Sequence, residues 1–314
     1  MRFRAQPWVP VIALATICAA AVWGLIAYRN RNEWNPSELA RALPSENAIV
    51  AYANVAAIRS SGLLQSIVGT KSVEDLEYRR FVGDSGFDYK TDLDRVAISF
   101  QRNSRYAIAV GRFDWPRIKG YALQNGAECL NAVCEVKGKT LENSTSFYPL
   151  HGSALALAST PNSGGVYEVA RVIAPPKSDD PWPTTAPIWI LVPGAIWRDP
   201  NALPTGAKIF ASALGLAEHA LFTIEPEANG KQFVLRMRVA CSNDQHARKI
   251  LQQLEEATSL LRNMMTRDKL TPKPSDLAGL LLHGKFALEN PTRVTGQWPL
   301  ELALIQALAE GNVE

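Results

Sequence analysis

The sequence predicts an α+β protein: a transmembrane helix near the N-terminus, followed by two similar domains, each an antiparallel sheet covered by helices on one face. Three observations lead there. Residues 8–28, WVPVIALATICAAAVWGLIAY, carry no charged side chain. Twice along the rest of the chain an apolar strand and a short helix precede a strand, strand, helix unit, first within 49–125 and again within 188–264. Between the two repeats lies APPKSDDPWPTTAP, Ala174 to Pro187, whose five prolines deny the backbone both helix torsions and ladder donors. The boundaries that follow are 1–32 for tail and anchor, 33–173 and 188–314 for the two domains, and 174–187 for the linker.

The apolar run, 21 residues from Trp8 to Tyr28, is long enough to cross roughly 30 Å of hydrocarbon as a helix that satisfies its own backbone. Trp8, Trp23 and Tyr28 supply interfacial aromatics. A cleaved signal peptide is the competing reading, with Arg2 and Arg4 ahead of the run and Ala19-Ala20-Ala21 as its cleavage site. The run continues through Val22, Trp23, Leu25 and Ile26, which favours an uncleaved anchor. Ile17 is too bulky beside Cys18 for a lipoprotein signal. Arg2 and Arg4 ahead of the span nearly balance Arg29 and Arg31 behind it, so a cytoplasmic tail is one orientation; a short basic head before a long tail is the signal-anchor layout, which favours a tail in the periplasm of a bacterium with the span in its inner membrane.

Charge has to be read without the anchor. All 30 acidic residues lie beyond it but only 29 of the 33 basic ones do, so residues 33–314 carry one negative charge in excess. The pI of 8.6 therefore belongs to the flanks of the apolar run. A near-neutral body without basic blocks argues against nucleic acid as a partner.

In the first domain, Ile49 to Ala53 reads as a buried strand and Val55 to Val68 as a helix broken at Gly62. Val73 to Phe81 is a second helix, Arg95 to Phe100 and Tyr106 to Phe113 are paired strands, and Asp114 caps a helix to Asn125. Two further strands, Val133 to Lys137 and Ser153 to Ala158, and a helix from Gly165 to Ile173 complete it. Cys129 and Cys134 in ECLNAVCE meet as a disulfide if a hairpin turns between them; two unpaired thiols on a strand edge is the other reading.

In the second domain, Ile188 to Val192 is the opening strand. His219 to Glu225 and Lys231 to Ala240 form a hairpin around Asn229-Gly230. Ser242 and Gln245 make a capping box for a long helix, in which Ala247, Ile250, Leu251, Leu254, Ala257, Leu260, Leu261 and Met264 form one stripe at helical spacing. A closing helix starts at Pro299.

LPSENAIVAYANVAAIRSSGLL, GFDYKTDLDRVAISF and FVLRMRVACSNDQHARKILQQLEEA together resemble uncharacterised acidobacterial-type single-span membrane proteins. The resemblance implies a duplicated α+β extracytoplasmic region and transfers no catalytic residue.

No catalytic, cofactor or metal site emerges from the residues. Gly83-Asp84-Ser85-Gly86 recurs in chymotrypsin-like proteases, but no histidine precedes His151 here. Asp84, Asp88, Asp92 and Asp94 miss the calcium-loop register and suit a capped, solvated turn. His151, His219, His246 and His283 fall at no ligand spacing. The expected function is thus a tethered, non-enzymatic interaction module or accessory subunit of a membrane complex, with Trp182, Trp189 and Trp197 as contact residues or, on the other reading, packing residues. The alternative is a hydrolase or ligand-binding protein with a cleft between the two halves, gathering Asp88, His151 or His219.

Overall fold

The computed structural model describes residues 34–64, 76–137, 144–151, 153–169, 171, 185–199, 208–227, 232–269, 271, 273 and 276–310. The anchor with Trp8, Trp23 and Tyr28, most of the linker with Trp182, and the Asn229-Gly230 turn lie outside these residues.

The described residues from Pro36 onward build one antiparallel sheet of 12 strands with helices packed against it. It begins with α1 (Pro36–Arg41), β1 (Ile49–Asn54) and α2 (Val55–Ser60), continues through α3 (Leu76–Ser85) and α4 (Tyr89–Asp92), and pairs β2 (Leu93–Phe100) with β3 (Arg105–Gly111). After α5 (Trp115–Gln124) come β4 (Glu128–Leu130), β5 (Val133–Lys137), β6 (Ser144–Leu150) and β7 (Ala154–Thr160), then a 3₁₀ turn at Gly165–Glu168. The second half runs β8 (Ile188–Pro193), α6 (Gly194–Trp197), α7 (Lys208–Ala213), β9 (Ala217–Pro226), β10 (Phe233–Cys241) and α8 (Asp244–Arg267). It ends with α9 (Leu277–Leu282), β11 (Lys285–Asn290), β12 (Arg293–Leu300) and α10 (Leu302–Glu310).

Both halves contribute to the same sheet, because β1 pairs with β8 at its centre. Outward from that seam the strands run β1-β2-β3-β7-β6-β5-β4 on one flank and β8-β9-β10-β12-β11 on the other. The seam is filled: Tyr52 stacks on Trp189 with ring centroids 5.4 Å apart, and Val50 and Leu191 are buried beside them. No cleft between the halves is formed by these residues.

A single register row marks one face of the sheet as apolar from edge to edge. Read across the pairings it is Cys129, Cys134, Phe147, Leu157, Ala107, Ile98, Ala51, Ile190, Phe222, Met237, Gly296 and Phe286, one residue from every strand and none of them polar. Directly opposed residues of an antiparallel sheet share a face, so this row defines an apolar helix face. On the second flank α8 covers it, burying Ala247, Ile250 and Leu254 against Met237, Val239, Val294 and Trp298. On the first flank α5 sets Trp115 edge-on to Phe147.

Local chemistry places the helix starts. Asn54 caps α2 by accepting from Ala57 N–H, and Asp114 caps α5 by accepting from Arg117 N–H. For α8 the cap is Asn243, accepting from His246 N–H at 2.9 Å, not Ser242 with Gln245. Ser242 Oγ instead sits 2.8 Å from His246 Nδ1. Asn reaches the free amide from one residue closer, so the expected box is displaced. The α8 stripe also stops early: Leu260 is 50% and Met264 38% exposed, because the last turns carry apolar residues past the residues they pack on. Strand prediction missed β4 and β6, and the helix expected from Gly165 to Ile173 is a 3₁₀ turn only as far as Glu168. The closing helix starts at Leu302, because Pro299 and Leu300 are still paired in β12.

Candidate binding face

Strand alternation gives the opposite face of the sheet two characters. On the first flank it is covered. Helix α1 packs on β1 and β2, with Leu39 and Ala40 fully buried, and Ser99 Oγ donates to Pro44 O. Further out the 3₁₀ turn packs on β6 and β7, where Val166 N–H donates to the buried Ser146 Oγ at 3.0 Å and Tyr148 OH donates to Val169 O at 3.2 Å. Glu135 and Ser144 sit at the edge of this cover; the Ser144 hydroxyl above all, with Ser163 and the Gly164 N–H, holds the Glu135 carboxyl below the usual carboxylate range.

On the second flank the same face presents Thr223 and Glu225 from β9, Arg236 and Arg238 from β10, Thr295 and Gln297 from β12, and Lys285 and Glu289 from β11. The twist of the four strands makes them a shallow groove of about 540 Å³, with Thr185 and Leu221 also lining it. Arg236 lies 3.5 Å from Glu225 and donates to Gln297 Oε1 at 3.2 Å, while Thr223 Oγ1 donates to Glu225 Oε1 at 3.1 Å. Arg238 lies 3.5 Å from Glu289, which also faces Arg293 at 3.7 Å. These groups offer directed donors and acceptors at a water-facing surface. They contain no paired nucleophile and base.

The residues singled out in the sequence are used structurally. Asp88 caps α4 by accepting from Lys90 N–H at 2.8 Å and takes a second bond from Tyr78 OH at 2.6 Å. Burial first, then that bond to Asp88, pushes the Tyr78 hydroxyl far above its ordinary value. Asp92 accepts from Asp88 N–H and pairs with Arg112 at 3.0 Å, and Asp94 lies 3.7 Å from Arg59. Ser85 is fully buried and donates to Phe81 O, finishing α3, so it is no nucleophile. Among the described residues no group of three His, Cys, Asp or Glu could hold a metal.

Asp88, His151 and His219 are not gathered: one caps α4, one follows β6 and one lies on β9, with β7, β3, β2, β1 and β8 between those strands. Burial lowers the His219 pKa, and Arg293 adds to the effect. His283 donates Nδ1–H to Gly279 O at 2.7 Å in a smaller cavity of about 240 Å³ shared with Lys273 and Glu301. Trp189 is completely buried and Trp197 packs near Phe222, 6.0 Å between centroids, so both are packing residues. Cys129 and Cys134 lie directly opposite in the β4–β5 hairpin and are bonded. Cys241 is a buried free thiol whose pKa burial pushes up to about 11. The groove itself gave no sequence signal, because alternating charged residues read as any solvated strand face.

No protein-family model matches the chain, and no curated protein matches it. Among solved structures it is similar to TP0453 in its crystal form III, at 7% identity and a TM-score of 0.46, over 88% of this chain and 98% of that one. At that score the likeness transfers neither fold nor function. Among the described residues no helix is long and apolar enough to cross a membrane.

Proposed function

We propose that the protein is a single-pass membrane protein of the bacterial inner membrane, anchored through residues 8–28, whose folded body stands in the periplasm and acts without catalysis as a binding module or accessory subunit. The two flanks, with their matching strand, strand, helix order, are read as halves of an internal duplication. The observation that carries the binding reading is the second flank's open face, a groove of directed polar groups on a sheet whose other flank has the same face covered. The Cys129–Cys134 bond supports a body in an oxidising compartment. A protein partner that offers its own polar side chains suits Arg236, Arg238, Glu225 and Gln297, which together supply both donors and acceptors.

The test is a photo-crosslinking residue placed at Gln297 in native membranes, with one at exposed Leu123 of α5 as control. A discrete adduct at Gln297, absent at Leu123 and lost on Arg236→Glu, is the expected result. Equal labelling at both positions, or none, removes the reading. A phosphatase reporter fused at Glu314, active only outside the cytoplasm, tests the topology separately.

A further inference from the structure

Strand β11 ends the sheet on the second flank, with β12 as its neighbour, so among the described residues one backbone edge of Lys285–Asn290 pairs with no other strand. The other end of the sheet is blunted differently: β4 is three residues long and tied to β5 by the disulfide. Strand β11 is twice that length and contains no proline.

We infer that β11 is the contact through which two copies of this chain pair, edge to edge and antiparallel, about a two-fold axis at Ala287. The sequence of the edge is complementary to itself in that register alone. With Ala287 opposite Ala287, Lys285 of each copy meets Glu289 of the other, and Phe286 meets Leu288. Lys285, Ala287 and Glu289 line the open face, while Phe286 lies in the apolar row of the helix face; the register of β11 is regular from Lys285 to Leu288 and shifts at Glu289, so the charged pairs flank the regular core of the contact. A shift of two residues one way sets Lys285 against Ala287 and Phe286 against itself. A shift the other way leaves Lys285 with no partner.

Two facts favour a second copy over a foreign strand. Lys285 is exposed and makes no ion pair among the described residues, whereas Glu289 is 39% exposed and holds its arginines at 3.5 and 3.7 Å, leaving room for another cation. A cross-strand pair of opposite charges stabilises pairing and like charges oppose it. The two-fold supplies the charge pair twice, and the isologous contact closes on itself instead of propagating. Confinement to one membrane raises the encounter frequency of such a short contact. Lys285 and Glu289 also border the groove, but the pairing runs through the backbone edge of β11 and its test reads the dimer, not the groove's occupant.

Cysteine placement in the full-length protein tests it. Ala287→Cys puts two sulfurs at the two-fold, within the separation a disulfide spans. Mild oxidation of native membranes is expected to give a covalent dimer on non-reducing gels, above the background of the unsubstituted protein. Lys285→Cys, displaced from the axis on both copies, is expected to stay at background. Within the Ala287→Cys protein, Lys285→Glu sets like charges opposite at both ends and is expected to cut the dimer yield about tenfold. Lys285→Glu with Glu289→Lys restores the complementarity and the yield. No dimer from Ala287→Cys, equal yield from Lys285→Cys, or an unchanged yield with Lys285→Glu would each overturn the inference. The Lys285→Cys comparison does not depend on how Glu289→Lys affects the fold.

Discussion

On the first flank of the sheet the face away from the long helices is roofed by α1 and the 3₁₀ turn, and Ser146, Ala156 and Ala158 beneath them are buried. On the second flank the matching face carries Arg236, Arg238, Lys285 and Glu289 and meets water. Among the described residues, strands of the same order are thus held from both sides in one case and from one side in the other. A flank packed on one face depends more on that packing, and its free face can change without loss of the fold. Coverage, more than strand order, decides which residues of the sheet meet water.

The sharpest way to break this comparison is to place a cation on each face. Ala156→Arg, at a fully buried position of β7, buries an unpaired charge and is expected to abolish cooperative unfolding, a loss of about 3–5 kcal/mol or more. Thr295→Arg on the open face of β12 is expected to leave the melting temperature nearly unchanged, within about 0.5 kcal/mol. Equal effects in thermal melts of the detergent-solubilised protein would mean that the second flank is covered too.

The next effect in size tests dependence on α8. Leu254→Ala, 1% exposed, is expected to cost about 2–5 kcal/mol by denaturant titration. Leu260→Ala, six residues on and 50% exposed, should cost well under about 1 kcal/mol. A large loss at Leu260 would show that the end of the helix is packed against something.

Glu135 sharpens the comparison through pH. Its folded pKa is depressed, so its contribution to stability is complete above the unfolded carboxylate value and is lost as pH falls through the folded value. Glu135→Gln is expected to cost about 1 kcal/mol at neutral pH and less below pH 4, flattening the acid limb of the stability curve. An acid limb of unchanged slope would mean that the Ser144 contact contributes nothing. Smallest is Arg236→Ala, whose partners are half exposed: within about 0.5 kcal/mol in stability, with loss of the Gln297 crosslink as its larger consequence.

How much of this was legible depends on how local the signal is. The alternation of Phe233 to Ala240 and the helical spacing of Ala247 to Ala257 are contained within a few turns of chain, and β10 and α8 follow them. Asp114 announces its cap by position, whereas the four-residue α4 that Asp88 caps is too short to show a periodicity. Strand β6, STSFYPL, was missed because its Ser, Thr and Pro dilute the apolar pattern that its burial needs. The union of two expected sheets into one was beyond local reading, since β1 and β8 each look like an opening strand and only their pairing makes them central. The Cys129–Cys134 hairpin lay between: five residues of spacing allowed the bond, and the direct opposition of the two residues in β4 and β5 makes it. The groove was invisible because its residues are ordinary for a wet strand face, and what sets them apart is that no described helix covers them.

The β1–β8 seam also bears on how the molecule comes to exist. As the chain emerges N-terminus first, β1 can pair with β2 before β8 is present, so Val50, Ala51 and Tyr52 stay at an unpaired edge until Ile188–Pro193 follows. Contacts of such large sequence separation form late and slowly. During synthesis, therefore, the centre of the finished sheet is its most aggregation-prone margin, and the nascent chain is expected to need shelter for the whole interval between its two central strands.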